Sequence, residues 1–232
     1  MTATLTAPRT DLRRASRWFA ALLLPVGPAA IALLRLLMPY DTTDDAAVVA
    51  AKVAADPDAQ SLIVWLGFIG MFTLVPAVLW VARLTRRAAP RTTAAALLLL
   101  VPGYLSLGML VASDAALWFG VREGLDQQVL ARLFEDMHPT TAVAGVLFVV
   151  GHVLGTVLLG VALWLSRAVP RWAAVLTMIA QPLHFVAAVV LANHPLDFVA
   201  WGLNAFAFAV VAVAVVRLPD DQWDVAPSAS ST

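Results

Sequence analysis

The sequence predicts an all-α integral membrane protein, a polytopic bundle of six transmembrane helices. Hydrophobic residues make up 61% of the 232 residues and charged residues only 13%, against roughly 45–50% and 25% in soluble globular proteins. Six apolar runs each reach the about 20 residues that a helix needs to cross a bilayer. The strands of a membrane β-barrel would be about 10 residues long and would alternate in polarity, a pattern that these runs lack.

The balance of charge excludes one large class of function. The chain carries 15 basic and 15 acidic residues and no cysteine. It therefore lacks the basic excess of a nucleic-acid-binding protein, and no nucleic-acid partner is expected. The absence of cysteine excludes a disulfide framework, a thiolate metal site and a cysteine nucleophile.

The chain divides into three parts: a basic N-terminal segment (1–16), a transmembrane domain (17–217) and a tail (218–232) that we expect to be cytoplasmic and disordered. The first apolar run is longer than the 7–15 residues of a cleaved signal, so it is interpreted as a retained anchor. The six predicted spans are 18–39, 61–83, 93–117, 141–165, 172–192 and 198–217.

The arginines predict the direction in which the spans cross. Eleven of the 15 basic residues lie before span 1, between spans 2 and 3, between spans 4 and 5, or after span 6. Eleven of the 15 acidic residues lie on the opposite side. Because positive charge is retained in the cytoplasm, both termini are predicted to be cytoplasmic. Fourteen arginines beside one lysine indicate a bacterial source, and hence the bacterial cytoplasmic membrane.

Two outer loops contain patterns typical of short helices. Residues 43–55 begin with capping residue types and end before Asp56-Pro57. Residues 123–137 carry apolar side chains at helical spacing opposite polar ones, the pattern of an amphipathic helix. Either helix is a surface connector, a segment lying flat on the membrane, or a lid.

Part of the chain repeats at an offset of 80 residues. Residues 81–104 align with 161–184, and R87-A-A-P-R91 matches R167-A-V-P-R171. This predicts a duplicated hairpin, spans 2–3 and spans 4–5. In each of the outward-running spans a proline stands eleven residues after an arginine, near the bilayer midplane, where it is expected to kink the helix: Pro28, Pro102 and Pro182.

Polar side chains inside the apolar spans are costly, and each therefore marks a candidate site. Lipid would leave these polar groups unpaired, so we expect them to face the interior of the bundle. There they would line an outward-facing cavity formed by spans 3, 4, 5 and 6. The candidate pocket residues are Tyr104, Asp114, His152, Gln181, His184, Asp197 and Asn204.

Two of these residues suggest a cofactor. His152 and His184 lie at comparable depth on adjacent antiparallel spans, which is the arrangement of two axial ligands of a haem b. The alternative, which we favour, is a pair that serves only to join helices, with no cofactor.

The outer ends of the spans carry further acids and histidines. His138, His194 and Asp197 are candidate metal ligands, although their spacing matches no zinc motif. Asp114, held in an apolar pocket, is the candidate catalytic acid or base. Arg35 either extends to the surface or pairs with an acid, and Asp114 is the partner we expect.

One short loop carries a resemblance to a known family. The connector S166-R-A-V-P-R-W172 resembles that of an uncharacterised bacterial family of small six-helix membrane proteins, which share an S-R-x-x-P-R-W loop between late helices. The resemblance covers about residues 15–217. It implies the six-helix fold and supplies no activity.

Taken together, these patterns predict an integral membrane protein whose cavity binds or moves a small hydrophobic or lipid-like ligand. Three alternatives stay open: a b-type haem electron-transfer protein, a membrane enzyme that uses Asp114, and a structural or regulatory subunit without a ligand. The surrounding bilayer is the one certain partner of such a protein.

Overall fold

The computed structural model describes residues 11–135 and 137–224, which form helices and turns without any strand. Six of the helical segments are long and apolar enough to cross a membrane, as the sequence predicted. The helices are α1 (Arg13–Leu23), α2 (Val26–Leu37), α3 (Ala46–Ala55), α4 (Pro57–Thr85), α5 (Pro90–Arg122), α6 (Gln127–Glu135), α7 (Pro139–Ser166), α8 (Arg171–Phe185), α9 (His194–Arg217) and α10 (Asp220–Trp223).

The first span is built from two helices. α1 ends at Leu23 and α2 begins at Val26, so the interruption includes Leu24, four residues before Pro28. The ring of a proline in a helix clashes with the carbonyl group four residues earlier, which for Pro28 is the carbonyl of Leu24. Pro102 lies within the uninterrupted α5, whereas a π-helical turn, Val186–Val190, begins four residues after Pro182. Of the three prolines that were predicted to kink their helices, Pro28 is therefore the one that follows an interruption between two α-helices.

The six spans form a closed ring in chain order. α2 packs against α4, α4 against α5, α5 against α7, α7 against α8 and α8 against α9, which returns to α2. The first and last described helices meet: Arg17 of α1 forms an ion pair of 2.9 Å with Asp220 of α10, and the Trp223 indole donates to Ser16 over 2.9 Å.

The start of the segment predicted to be a disordered tail is ordered. Residues Asp220–Trp223 form α10, and Trp223 is buried against the first span. The burial of this large aromatic ring stabilises a segment whose polar composition had suggested disorder. The rest of the tail, residues 225–232, lies outside the described residues, as do residues 1–10 of the N-terminal segment.

Both predicted outer-loop helices are present. Asp45 caps α3 by accepting from the Val48 amide over 2.9 Å, and Asp56 caps α4 in the same way. α3 and α6 pack on each other above the outer ends of α4 and α5. Val53 and Leu130 are completely buried between them, so these helices form a small second core and do not lie separately on the membrane.

The interface between α5 and α7 depends on small residues. Gly103 and Gly151 face each other, and a β-carbon on Gly151 would lie 2.6 Å from the Leu99 carbonyl oxygen. Only glycine permits the two backbones to approach so closely. Gly145, one and a half turns earlier on α7, has open space around it.

We expect Gly151→Ala to lower the stability of the protein by about 1–3 kcal/mol, because the added methyl group forces the two helices apart. Gly145→Ala, on the same helix, is the matched control and should leave stability unchanged. Thermal unfolding of both variants in detergent measures the difference. Equal melting temperatures would show that the close approach of α5 and α7 contributes nothing.

Candidate functional site

A cavity of about 490 Å³ lies at the end of the bundle that carries α3 and α6, which we name the outer end after its predicted side. Its walls come from α2, α5, α7 and α8, and the loop after α2 and the end of α6 border it. Span 1 was not expected there, and span 6 contributes only Trp201. The predicted cavity between spans 3 and 6 is therefore displaced towards span 1, because ring closure places α2 beside α9.

The predicted pocket residues divide into two groups. Asp114 and His184 line the cavity. The other five are buried in the bundle and form no part of the cavity wall: Tyr104, His152, Gln181, Asp197 and Asn204.

Three charged or ionisable groups meet behind one wall of the cavity. Asp197, in the first turn of α9, accepts hydrogen bonds from Arg35 of α2 and from His184 of α8. Asp197 is completely buried, and Arg35 and His184 are 8% and 9% exposed. A carboxylate at this depth is stable only when it is paired, and the dipole at the start of α9 adds to its stabilisation.

This network corrects the predicted ion pair between Arg35 and Asp114. Asp197 is the acid that reaches Arg35, because α9 is the direct neighbour of α2 in the ring. The preference for Asp114 assumed only that both side chains lie near the outer surface, and sequence position alone does not tell which spans are neighbours.

The Arg35 guanidinium also connects the loop after α2 to the π-helical turn. It lies 3.5 Å from the Thr42 hydroxyl, which donates to the Ala188 carbonyl over 2.5 Å. A π-turn displaces backbone carbonyls from the regular α-helical pattern, and such turns are frequent at functional sites. Arg35 thereby joins three elements that border the cavity.

Asp114 belongs to a second polar network on the opposite wall. Its carboxylate accepts a hydrogen bond from the Tyr40 hydroxyl and another from the Gln60 amide, at 3.1 Å. Burial, and then the neighbouring Asp114 carboxylate, raise the pKa of Tyr40 well above its ordinary value of 10.0. Tyr40 therefore keeps its proton and acts as the donor. Sequence reasoning missed Tyr40 and Gln60; a buried glutamine near the end of an apolar span was the available signal.

His152 packs behind His184 in an aromatic cluster. Its Nδ1 lies 2.5 Å from the Phe148 carbonyl oxygen, one turn earlier on α7. The centroids of the two imidazole rings are 5.2 Å apart, and Trp201 lies 5.7 Å from the one and 5.4 Å from the other. The planes of the two imidazole rings are tilted by 47° to each other, and a haem b held by this pair stays a prediction.

Deeper in the bundle, several polar atoms have no hydrogen-bond partner among the described residues. They are the side-chain amides of Gln181 and Asn204, the Trp201 indole nitrogen and the Nε2 atom of His152. The sequence predicted that these groups turn inward, and all four residues are fully buried. Gln181, Asn204 and His152 do not line the cavity, whereas Trp201 also forms part of its wall.

The candidate metal ligands are distributed among different contacts. His194 lies 2.8 Å from Asp41, and His138 caps the start of α7 beside Thr140, while Asp197 belongs to the Arg35 network. Within 11–135 and 137–224, no three such side chains come together. A metal site built on these residues is not supported by their positions.

The Asp41–His194 contact is part of an ionic cluster at the cavity mouth. Lys52 of α3 donates to Asp41 over 3.0 Å and to Asp44 over 2.7 Å. Hydrogen bonding to Lys52, reinforced by His194, lowers the pKa of Asp41, and the two acids raise the pKa of Lys52. The cluster ties α3 and the loop after α2 to the start of α9.

We expect Asp197→Asn to destabilise the protein by about 3–5 kcal/mol, because it leaves the buried Arg35 without a counter-ion. Asp114→Asn should cost only about 1 kcal/mol, since an amide oxygen still accepts from Tyr40. Thermal or denaturant unfolding in detergent compares the two variants. Similar losses of unfolding free energy in the two variants would show that the Arg35–Asp197 pair stabilises the protein no more than the contacts of Asp114 do.

Comparison with known proteins places the whole transmembrane region in one family. No curated protein and no solved structure gave a significant match to the chain. A family model matches residues 18–219, from the first span to just beyond the last. The chain belongs to the family defined by the Domain of unknown function (DUF4386).

Proposed function

We propose that the outer cavity binds a small amphipathic or lipid-like molecule, in the cytoplasmic membrane of a bacterium. The observation that carries the proposal is the cavity of about 490 Å³, apolar over most of its wall, beside which Arg35 and His184 converge. Ligand sites typically have volumes of about 300–1,000 Å³ and combine an apolar wall with a few fixed polar groups.

The orientation of the cavity follows from the charges. The arginine-rich loops, the start of α1 and α10 lie at the opposite end of the bundle from the cavity. If that end is cytoplasmic, as the positive-inside rule requires, the cavity opens towards the outside. A ligand would then enter from the outer leaflet or from the external solution.

The cavity wall favours an apolar ligand body. Ile31, Leu34, Leu107, Val111 and Phe148 line it from three different spans. Burying an alkyl chain against such a wall contributes about 25 cal/mol for each Å² of apolar surface.

The charges at the cavity favour a neutral or cationic head group over an anionic one. Arg35 is already neutralised by Asp197. Asp41, Asp44, Asp114 and Glu135 line the cavity as well, and of the arginines and lysines only Arg35 lines it. A carboxylate or phosphate on the ligand would meet more negative than positive charge there.

Filling the cavity tests the proposal. Gly145 lines the cavity, and a β-carbon added there would meet no atom within 4 Å, so Gly145→Trp should place an indole inside and weaken binding at least ten-fold. Gly202→Trp is the matched control, because Gly202 has equal room and does not line the cavity. Binding is measured in lipid nanodiscs with fluorescent dodecylammonium and fluorescent dodecanoate probes. No binding of either probe, or equal binding by both variants, would contradict the proposal.

A second function, acid–base catalysis on the bound molecule, is favoured by one observation. Asp197 holds Nδ1 of His184, which leaves Nε2 free to exchange a proton at the cavity. A carboxylate–imidazole pair of this kind is a common general base. His184 is a better candidate for this role than Asp114, whose carboxylate is engaged by Tyr40 and Gln60.

For catalysis we expect the folded wild-type protein to hydrolyse a long-chain p-nitrophenyl ester, with His184 Nε2 taking a proton from water. His184→Gln should abolish this turnover and retain binding of the fluorescent probe. His152→Gln is the control, because His152 does not line the cavity. Turnover that is absent, or that survives in His184→Gln, would leave ligand binding as the better proposal.

A further inference from the structure

The arginine-rich end of the bundle contains a second cleft, far from the outer cavity. It lies between α4 and α5, next to their connecting turn, and has a volume of about 360 Å³. Leu79, Ala82, Ala94 and Leu97 form its apolar part, and Arg83 and Arg86 stand at its polar end.

The cleft opens towards the surrounding lipid. Leu79 is 45% exposed, and Ala94 and Pro90 are also exposed. The small side chains of Ala82 and Ala94 leave the space between the facing surfaces of α4 and α5 unfilled. The inner wall is closed by Thr93, whose hydroxyl lies 2.9 Å from that of Thr85 and is therefore already satisfied.

The two arginines are placed on one side of α4. They are three residues apart, so their side chains project from the same face of the helix. Arg83 contacts the last described helix, with an ion pair of 3.1 Å to Asp224 and its guanidinium 5.1 Å from the centre of the Trp223 ring. Arg86 is exposed and forms no side-chain hydrogen bond or ion pair with any residue of 11–135 or 137–224.

From this arrangement we propose that the α4–α5 cleft binds an anionic phospholipid, with the phosphate between Arg83 and Arg86 and an acyl chain between Leu79 and Leu97. The guanidinium groups match the phosphate in charge and hydrogen-bonding geometry. Leu79 and Leu97 stand one to two helical turns, about 6–10 Å along the helix axes, from the arginine end of the cleft, a spacing that suits the first part of an acyl chain. Basic clefts between transmembrane helices are known sites for such head groups.

A diffuse attraction of the basic surface for anionic lipid is the competing explanation. Arg87 lies in the turn between α4 and α5 and Arg91 in the first turn of α5; both are exposed and do not line the cleft. A diffuse attraction depends on total charge and would use these two arginines equally. A built site depends on Arg83 and Arg86 and on the open apolar cleft.

The test compares two double variants of equal charge. Arg83→Gln with Arg86→Gln should weaken binding of short-chain phosphatidylglycerol at least ten-fold, measured by native mass spectrometry of the full chain in detergent. Arg87→Gln with Arg91→Gln should weaken it less than three-fold. Equal losses in the two variants would overturn the site in favour of diffuse attraction.

Further measurements distinguish a lipid phosphate from free inorganic phosphate, and loss of binding from loss of folding. Phosphatidylcholine of the same chain length should bind at least ten-fold more weakly, and millimolar inorganic phosphate should not displace phosphatidylglycerol. Displacement would point to a free phosphate site and overturn the lipid proposal. Ala94→Trp, which fills the cleft and keeps both arginines, should also abolish binding without lowering the melting temperature. Retained binding in that variant would overturn the placement of the acyl chain.

Discussion

The ion pair between Arg35 and Asp197 is the interaction on which the arrangement of the bundle depends. Neither group is stable in the apolar interior alone, and the cost of leaving one unpaired is several kcal/mol. The pair forms only when the end of α2 lies beside the start of α9. It therefore favours closure of the ring between the first and last spans, and it brings His184 of α8 to the same point.

The cavity follows from this closure and from a second network on the other side. Asp197 holds Arg35 and His184, and Asp114 holds Tyr40 and Gln60. The two networks fix different elements around a cavity whose surface is mainly apolar, while α3 and α6 pack on each other at the same end.

The sequence was sufficient for the parts of the fold that depend on local pattern. Each span has a run of apolar residues of the required length, and Asp45 caps α3 where the capping residue types predicted a helix start; the further role of Asp56 as the cap of α4 was not predicted. The ion-pair partner of a buried charge could not be predicted from local pattern in this way. Arg35 had several acids within reach on the outer side, and the pairing with Asp197 depends on which spans are neighbours, a property of the assembled ring. Tyr40 and Gln60 escaped notice for the same reason, since their importance comes from Asp114, distant in sequence.

The two ends of the bundle have opposite electrostatic preferences, although the chain as a whole is neutral. At the outer end the one arginine of the cavity is neutralised by a buried acid, and other acids line the mouth. At the other end an arginine without a described partner stands at an apolar cleft. A phosphate-bearing lipid is therefore suited to the α4–α5 cleft and poorly suited to the outer cavity. The separation of charge from which we predict the orientation in the membrane also separates the kinds of molecule that we propose for each end.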